Sequence, residues 1–169
     1  MDTYEINELA SSSLHTITRW ESLNWKNITK YVRRLRQQIF RAEQLGQKRK
    51  VKRLQRLMIR SKANLLLSIK RVTQINKGKR TAGVDGFKVL STSERIHLYN
   101  RMCGETIRHH KVKPAKRTYI TKKNGKLRPL GIPTIKDRIY QNIIKNALEP
   151  QWEEKLKHLP MDLDQREVR

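Results

Sequence analysis

Apolar side chains recur at steps of three and four through a stretch that is otherwise cationic. They run Trp25, Ile28, Val32, Leu35, Ile39 and Ala42, then Val51, Leu54 and Met58, then Leu65, Ile69 and Val72. Such spacing is one stripe of an α-helix, and it leaves the chain little choice but to bury that stripe. Asn24 supplies an N-cap for the first helix and Gly46 its stop. The apolar register shifts near Ser61, which predicts a break between a second helix and a third. After Asn76 the periodicity fails. There NKGKRTAGVDG, with Gly78, Gly83 and Gly86, predicts a basic flexible loop turning at Asp85-Gly86. It lacks the GK[ST] ending of a phosphate-binding P-loop.

Ser91 and Glu94 form a capping-box signature for a helix carrying Ile96, Tyr99, Met102 and Cys103, and Pro114 ends any helical pattern beyond it. Next, TYITKKNGKLRPLGI alternates apolar and polar residues around Asn124-Gly125. Both turn residues accept positive φ, so the pattern predicts a hairpin with strands near 118–122 and 126–132. Pro129 and Pro133 cannot donate ladder hydrogen bonds and place the second strand at an edge. Asp137 caps a last helix that turns Ile139, Tyr140, Ile143, Ile144, Ala147 and Leu148 inward. That helix is expected to bend or end at Pro150, with Trp152 just beyond. The organisation expected is an acidic, loosely held tail (1–22), a basic helical region (23–115) with a Gly-rich loop (76–90), a hairpin plus helix (116–158) and a tail (159–169). The fold class is mainly α with a small antiparallel β-hairpin.

Charge bounds the function. The chain has 39 Lys and Arg against 15 Asp and Glu, a net +24, and between Lys26 and Arg80 there are 19 Lys or Arg beside the single acid Glu43. Such a field attracts polyanions, and nucleic acid is the expected partner. An anionic membrane competes for that role, but no apolar run approaches the roughly 20 residues of a spanning helix. Arg33, Arg36, Lys52, Arg56 and Arg60 fall off the apolar stripes. Solvated faces normally mix both signs of charge, so this one-sign face points to phosphates.

Chemistry is poorly provided for. A single cysteine, Cys103, excludes an internal disulfide and a multi-thiolate zinc site. Of the five aspartates, Asp2 lies in the N-terminal tail, Asp85 belongs to a Gly turn and Asp137 to a cap, while Asp162 and Asp164 lie in a polar tail. Adjacent His109 and His110 point in different directions on a helix and suit solvent or phosphate better than a metal. No Ser/His/Asp arrangement stands out, and the N-terminus has no apolar signal region. The residues predict a binding protein with no catalytic residue, metal or cofactor.

VTQINKGKRTAGVDG followed by RTYITKKNGKLRPLGIPTIKDRIYQNIIKNALEPQWE resembles the N-terminal part of reverse transcriptases encoded by group II introns, the intron maturases. The preceding basic helices are similar to the N-terminal extension of the same proteins, so the resemblance covers about residues 20–153. It implies a fingers-like fold whose hairpin approaches a nucleotide triphosphate through Lys122 and Arg128. It further implies that loop 76–85 covers the template strand and that the basic helices grip intron RNA. Thr121 stands where the family pattern has Pro. After Glu153 the chain diverges, where the family continues into a palm bearing Tyr-x-Asp-Asp and then a thumb. The resemblance therefore implies a protein without palm or thumb, lacking the polymerase aspartates and acting as a non-catalytic RNA clamp.

The RNA-binding set expected is Lys122, Lys123, Lys126, Arg128, Arg117, Lys77, Lys79, Arg80, Arg33, Arg36, Lys52, Arg56 and Arg60. The expected partners are a group II intron RNA or, after domestication, another structured RNA such as ribosomal RNA, with other proteins of a ribonucleoprotein and no membrane. The expected compartment is the bacterial cytoplasm or an organelle (plastid or mitochondrion). Two other classes stand beside this one. The first is a piece of a split reverse transcriptase completed by a separately encoded palm; the second is a structural subunit of a large RNA machine such as a ribosome. The apolar residues Ile143, Ile144, Leu148 and Trp152 discriminate, because a split enzyme needs that helix docked on more protein and a clamp needs it packed on its own core.

Overall fold

The computed structural model describes residues 19–105 and 107–157. Segment 1–18 of the expected N-terminal tail, and the expected tail 159–169 with Asp162 and Asp164, lie outside the described residues. Helix α1 (Trp25–Gln44) starts where the Asn24 side chain accepts from the Asn27 amide at 3.0 Å. It stops where Gly46 takes φ +66° and the amides of Gly46 and Gln47 donate to the carbonyls of Glu43 and Ala42, a Schellman end. The chain reverses at once into α2 (Lys48–Arg60). Ser61 then breaks the helix with an extended ψ of 123° and caps α3 (Lys62–Lys70) by accepting from the Asn64 amide. A π-helical turn (Arg71–Ile75) and a 3-10 turn (Lys77–Arg80) lead into the Gly-rich loop. The Ser91/Glu94 capping box opens α4 (Thr92–Cys103). Strands β1 (Lys116–Thr121) and β2 (Leu127–Ile132) form a two-stranded antiparallel sheet, and α5 (Ile135–Leu156) closes the fold.

The fold is mainly helical, as the sequence predicts. The apolar stripes of α1 and α2 are buried at Ile28, Val32, Leu35, Ile39, Ala42, Val51, Leu54 and Met58, and α5 lies across α1, α2 and α3. Packing also reaches back to Trp20, which is 2% exposed and sits 4.9 Å from the Trp25 ring, inside the stretch expected as tail. Between α3 and α5 runs a buried polar seam. Asn64 donates to the carbonyls of Met58 and Ile143, at 3.0 and 3.3 Å, and accepts from Asn146 at 2.7 Å. The Met58 carbonyl at the end of α2 also accepts from the Ser61 amide at 3.2 Å, so the Asn64 side chain adds a second bond there and joins α2, α3 and α5 through one buried amide.

Four local expectations are corrected. Thr134, not Asp137, is the N-cap of α5: its hydroxyl accepts from the Asp137 amide at 3.1 Å and donates to the Asp137 carboxylate at 2.6 Å. The shorter side chain sits at the turn, and the carboxylate occupies the third helical position. Pro150 does not end the helix, which runs six residues beyond it with the proline buried. Side chains flanking Pro150 hold the helix to its neighbours: Glu149 and Glu153 pair with Arg36, Gln151 donates to Glu43, and Lys155 pairs with Glu43. Ile144 and Leu148 point outward, 39% and 38% exposed, while Ile143 is buried. Finally, only Gly125 of the hairpin turn has positive φ (+75°). The Gly125 amide donates to the Lys122 carbonyl and the Lys122 amide to the Lys126 carbonyl. That is a type I turn closed by a glycine bulge, which keeps Asn124 in the ordinary left half of φ/ψ space.

Candidate nucleic-acid interface

The hairpin register pairs Lys116 with Ile132, Thr118 with Leu130 and Ile120 with Arg128. Side chains alternate between faces along a strand, so Lys116, Lys122, Lys126 and Arg128 share one face, and Arg117 and Tyr119 lie on the other. Every residue from Lys116 to Gly131 is exposed. No carboxylate occurs in the sequence between Glu105 and Asp137. The hairpin therefore offers a cationic face with no internal counter-charge.

On α2, Lys52, Arg56 and Arg60 are spaced at i, i+4 and i+8, in one row facing water. Arg33 is likewise exposed on α1. Among the described residues none of these four has an ion-pair partner. Arg36 differs. Its guanidinium donates to Glu149 at 2.7 Å and to Glu153 at 3.4 Å, which commits it to bracing α1 against α5.

Loop 76–90 is held rather than free. Lys79 donates to the Gln74 carbonyl at 2.9 Å, which leaves Lys77, Arg80 and Lys88 as its exposed cations. The guanidinium of Arg138, at the start of α5, donates to the carbonyls of Pro133 (2.9 Å), Gly78 (3.2 Å) and Thr81 (2.6 Å). Gly83 packs so closely on the Pro133–Thr134 backbone that a Cβ would lie 2.6 Å from Thr134 Cα. One arginine and one glycine thus fix the loop beside the exit of β2. Neither carried a sequence signal, because both contacts are made across more than 50 residues of chain.

The histidine pair separates. His109 is exposed, whereas His110 turns inward, 4.5 Å from the Tyr140 ring, and bonds Asp137 at 2.5 Å. The expectation that both histidines face solvent or phosphate fails for His110. Burial raises the cost of charge on Asp137, yet the hydrogen bonds from Thr134 and His110 hold its carboxyl below the usual range. Burial, with Glu105 beside it, pushes the Tyr140 phenol up to about 12. Among the described residues, no group of three or more His, Cys, Asp or Glu side chains could hold a metal.

A depressed carboxyl pKa contributes stability that is present above the unfolded value, about 3.9 for Asp, and is lost as pH falls through the folded value. Asp137→Asn is therefore expected to cost about 1–3 kcal/mol near neutral pH, the usual penalty for breaking a buried hydrogen-bonded pair. The gap to the unsubstituted protein should narrow below about pH 4. Thermal melts of both proteins across pH check it; a gap that is constant with pH refutes it.

Residues 20–102 match the family described as the N-terminal domain of reverse transcriptase. Protein YkfC of Escherichia coli (strain K12) is 39% identical over 104 residues, which cover 60% of this chain and 27% of that protein. Maturase-like protein 1 of Euglena gracilis is 28% identical over 137 residues, 81% of this chain and 30% of the relative. Maturase-like protein 1 of Euglena longa is 26% identical over 132 residues, 78% of this chain and 29% of the relative. The chain spans less than a third of the length of each of these proteins.

Proposed function

We propose, for a chain that carries an N-terminal domain of reverse transcriptase over residues 20–102 and is related to maturase-like proteins, that it binds structured RNA through phosphate contacts. The partner is a group II intron RNA, or a structured RNA descended from that association, within a ribonucleoprotein. The chain itself clamps RNA and does not polymerise. The observation that carries this reading is the hairpin face of Lys116, Lys122, Lys126 and Arg128, exposed and without a carboxylate in the hairpin to neutralise it. Arg33, Lys52, Arg56 and Arg60 extend the cationic surface over the helices, and Lys123, Arg117, Lys77 and Arg80 supply its margins. Among the described residues no helix is long and apolar enough to cross a membrane.

Titration of a structured RNA against hairpin variants tests it. Lys122→Ala and Arg128→Ala should each weaken binding by about tenfold to a hundredfold, the usual worth of a charge-assisted hydrogen bond, while the melting temperature stays put. Arg128→Lys should recover part of the loss, since an ammonium cannot make the paired phosphate contacts of a guanidinium. Unchanged affinity in both alanine variants would remove the hairpin from the interface.

A second reading is favoured by one observation. Ile144, Leu148, Trp152 and Leu156 form a row along α5 at four-residue steps and are 38–57% exposed. An apolar row of that length on a helix suits a further protein surface, as in a reverse transcriptase whose fingers dock on a palm.

A further inference from the structure

A cleft of about 450 Å³ opens between α2, α3, α4 and α5, away from the hairpin. Its floor is apolar: Leu65, Met102 and Ile143, with Cys103 and the Tyr140 ring. Its rim carries Arg56 and Arg60 from α2 and Arg108 from the 3-10 turn (Ile107–His109), all exposed and without an ion-pair partner among the described residues. The one carboxylate at the mouth, Glu105, is neutralised by Lys136 and held by the Tyr140 hydroxyl at 3.4 Å. The cleft thus joins a greasy interior to a rim that selects anions.

We propose that this cleft receives a single unpaired nucleotide of the bound RNA, with its base on the apolar floor and its flanking phosphates on Arg56, Arg60 and Arg108. The inference rests on the RNA-binding reading above and adds a subsite to it. A nucleotide is the ligand that pairs a flat apolar body with an adjacent anion, and the size suits it, since ligand pockets run from about 300 to 1,000 Å³. An apolar protein side chain would fit the floor but would leave the arginines unused. The geometry also answers how a phosphate-binding protein acquires preference. The deep groove of an RNA helix is closed to side chains, so discrimination falls on splayed-out bases at bulges and loops. Unpairing is cheapest for a base that is already bulged. Ser61, Lys62, Glu105 and the Tyr140 hydroxyl are polar groups along the cleft that can meet a base edge.

The chain's only cysteine makes the cleft directly readable. Cys103 is half-buried on the floor, and its alkylation by iodoacetamide can be followed in the full chain with two hairpin RNAs of equal length. One is fully paired in its stem; the other carries one bulged nucleotide. The bulged RNA is expected to bind about tenfold tighter, the scale of one stacked base, and to slow alkylation of Cys103 by a similar factor. The paired RNA should bind without that protection. Cys103→Phe, which fills the floor, should lower the affinity for the bulged RNA to that for the paired one, with a thermal melt to confirm folding. If both RNAs bind and neither slows alkylation more than the other, the subsite is refuted while RNA binding stands. Failure of both RNAs to bind defeats the underlying reading itself. Protection by free nucleoside monophosphate at the same concentration as the bulged RNA also overturns the proposal, because the cleft would then serve a soluble nucleotide.

Discussion

Affinity for structured RNA is expected to fall by about three to five decades between roughly 50 and 200 mM salt, the loss that follows when roughly six to ten phosphates are neutralised. The supply of cations is ample. Four basic side chains share one hairpin face, and Arg33, Lys52, Arg56 and Arg60 face water on α1 and α2. Among the described residues, by contrast, several acids are already engaged: Glu149 and Glu153 with Arg36, Glu43 with Lys155, Glu105 with Lys136, and Asp137 with His110. None of these pairs involves the hairpin cations or Arg33, Lys52, Arg56 and Arg60. Equilibrium titration across salt measures the slope. A nearly flat dependence would sink the phosphate reading, because no other term proposed here depends so steeply on ions.

Gly83→Ala is expected to be the costliest single methyl group that can be added to the chain's loops. A Cβ at Gly83 would meet Thr134 Cα at 2.6 Å, Thr134 N at 2.8 Å and the Pro133 carbonyl at 2.9 Å, all of them backbone atoms that cannot rotate aside. Relief requires loop 76–90 to lift from the start of α5, which strains the two Arg138 hydrogen bonds to the loop carbonyls of Gly78 and Thr81. Overpacking of this kind costs about 1–3 kcal/mol, or roughly 3–10 °C of melting temperature in a domain of this size. Gly78→Ala is the control, because a Cβ there meets nothing within 4 Å. Equal melting temperatures for the two variants would show that the loop yields freely.

What the sequence disclosed was whatever local periodicity encodes. The stripe from Ile28 to Ala42, the break at Ser61, the Gly46 stop and the Ser91/Glu94 box each rest on residues within a few positions of one another. What stayed hidden depends on partners far along the chain. Pro150 reads as a helix end until Arg36, more than 100 residues earlier, is seen gripping Glu149 and Glu153 on either side of it. Arg36 itself reads as one more cation on a basic face, and only the fold reveals it as a brace. His110 is indistinguishable from His109 until Asp137 is seen beside it. The hairpin was legible as a hairpin but not in its turn, because Asn-Gly also serves a type I turn with a glycine bulge. The cleft at Cys103 had no sequence signature at all, since four helices and a short 3-10 turn contribute its walls.

The hairpin touches little but itself: both of its faces are in water, and no helix packs broadly against it. A lone two-stranded ribbon is marginal in water. Opening of the ribbon should therefore be nearly uncoupled from unfolding of the helical body, giving weakly protected amides from Lys116 to Ile132 beside strongly protected ones in α1 and α5. Such a ribbon is cheap to alter. On the proposed reading, substitutions at its tip would change the RNA it grips while leaving the thermodynamic reserve of the body untouched, so a lineage could exchange one RNA for another there without passing through an unfolded intermediate sequence.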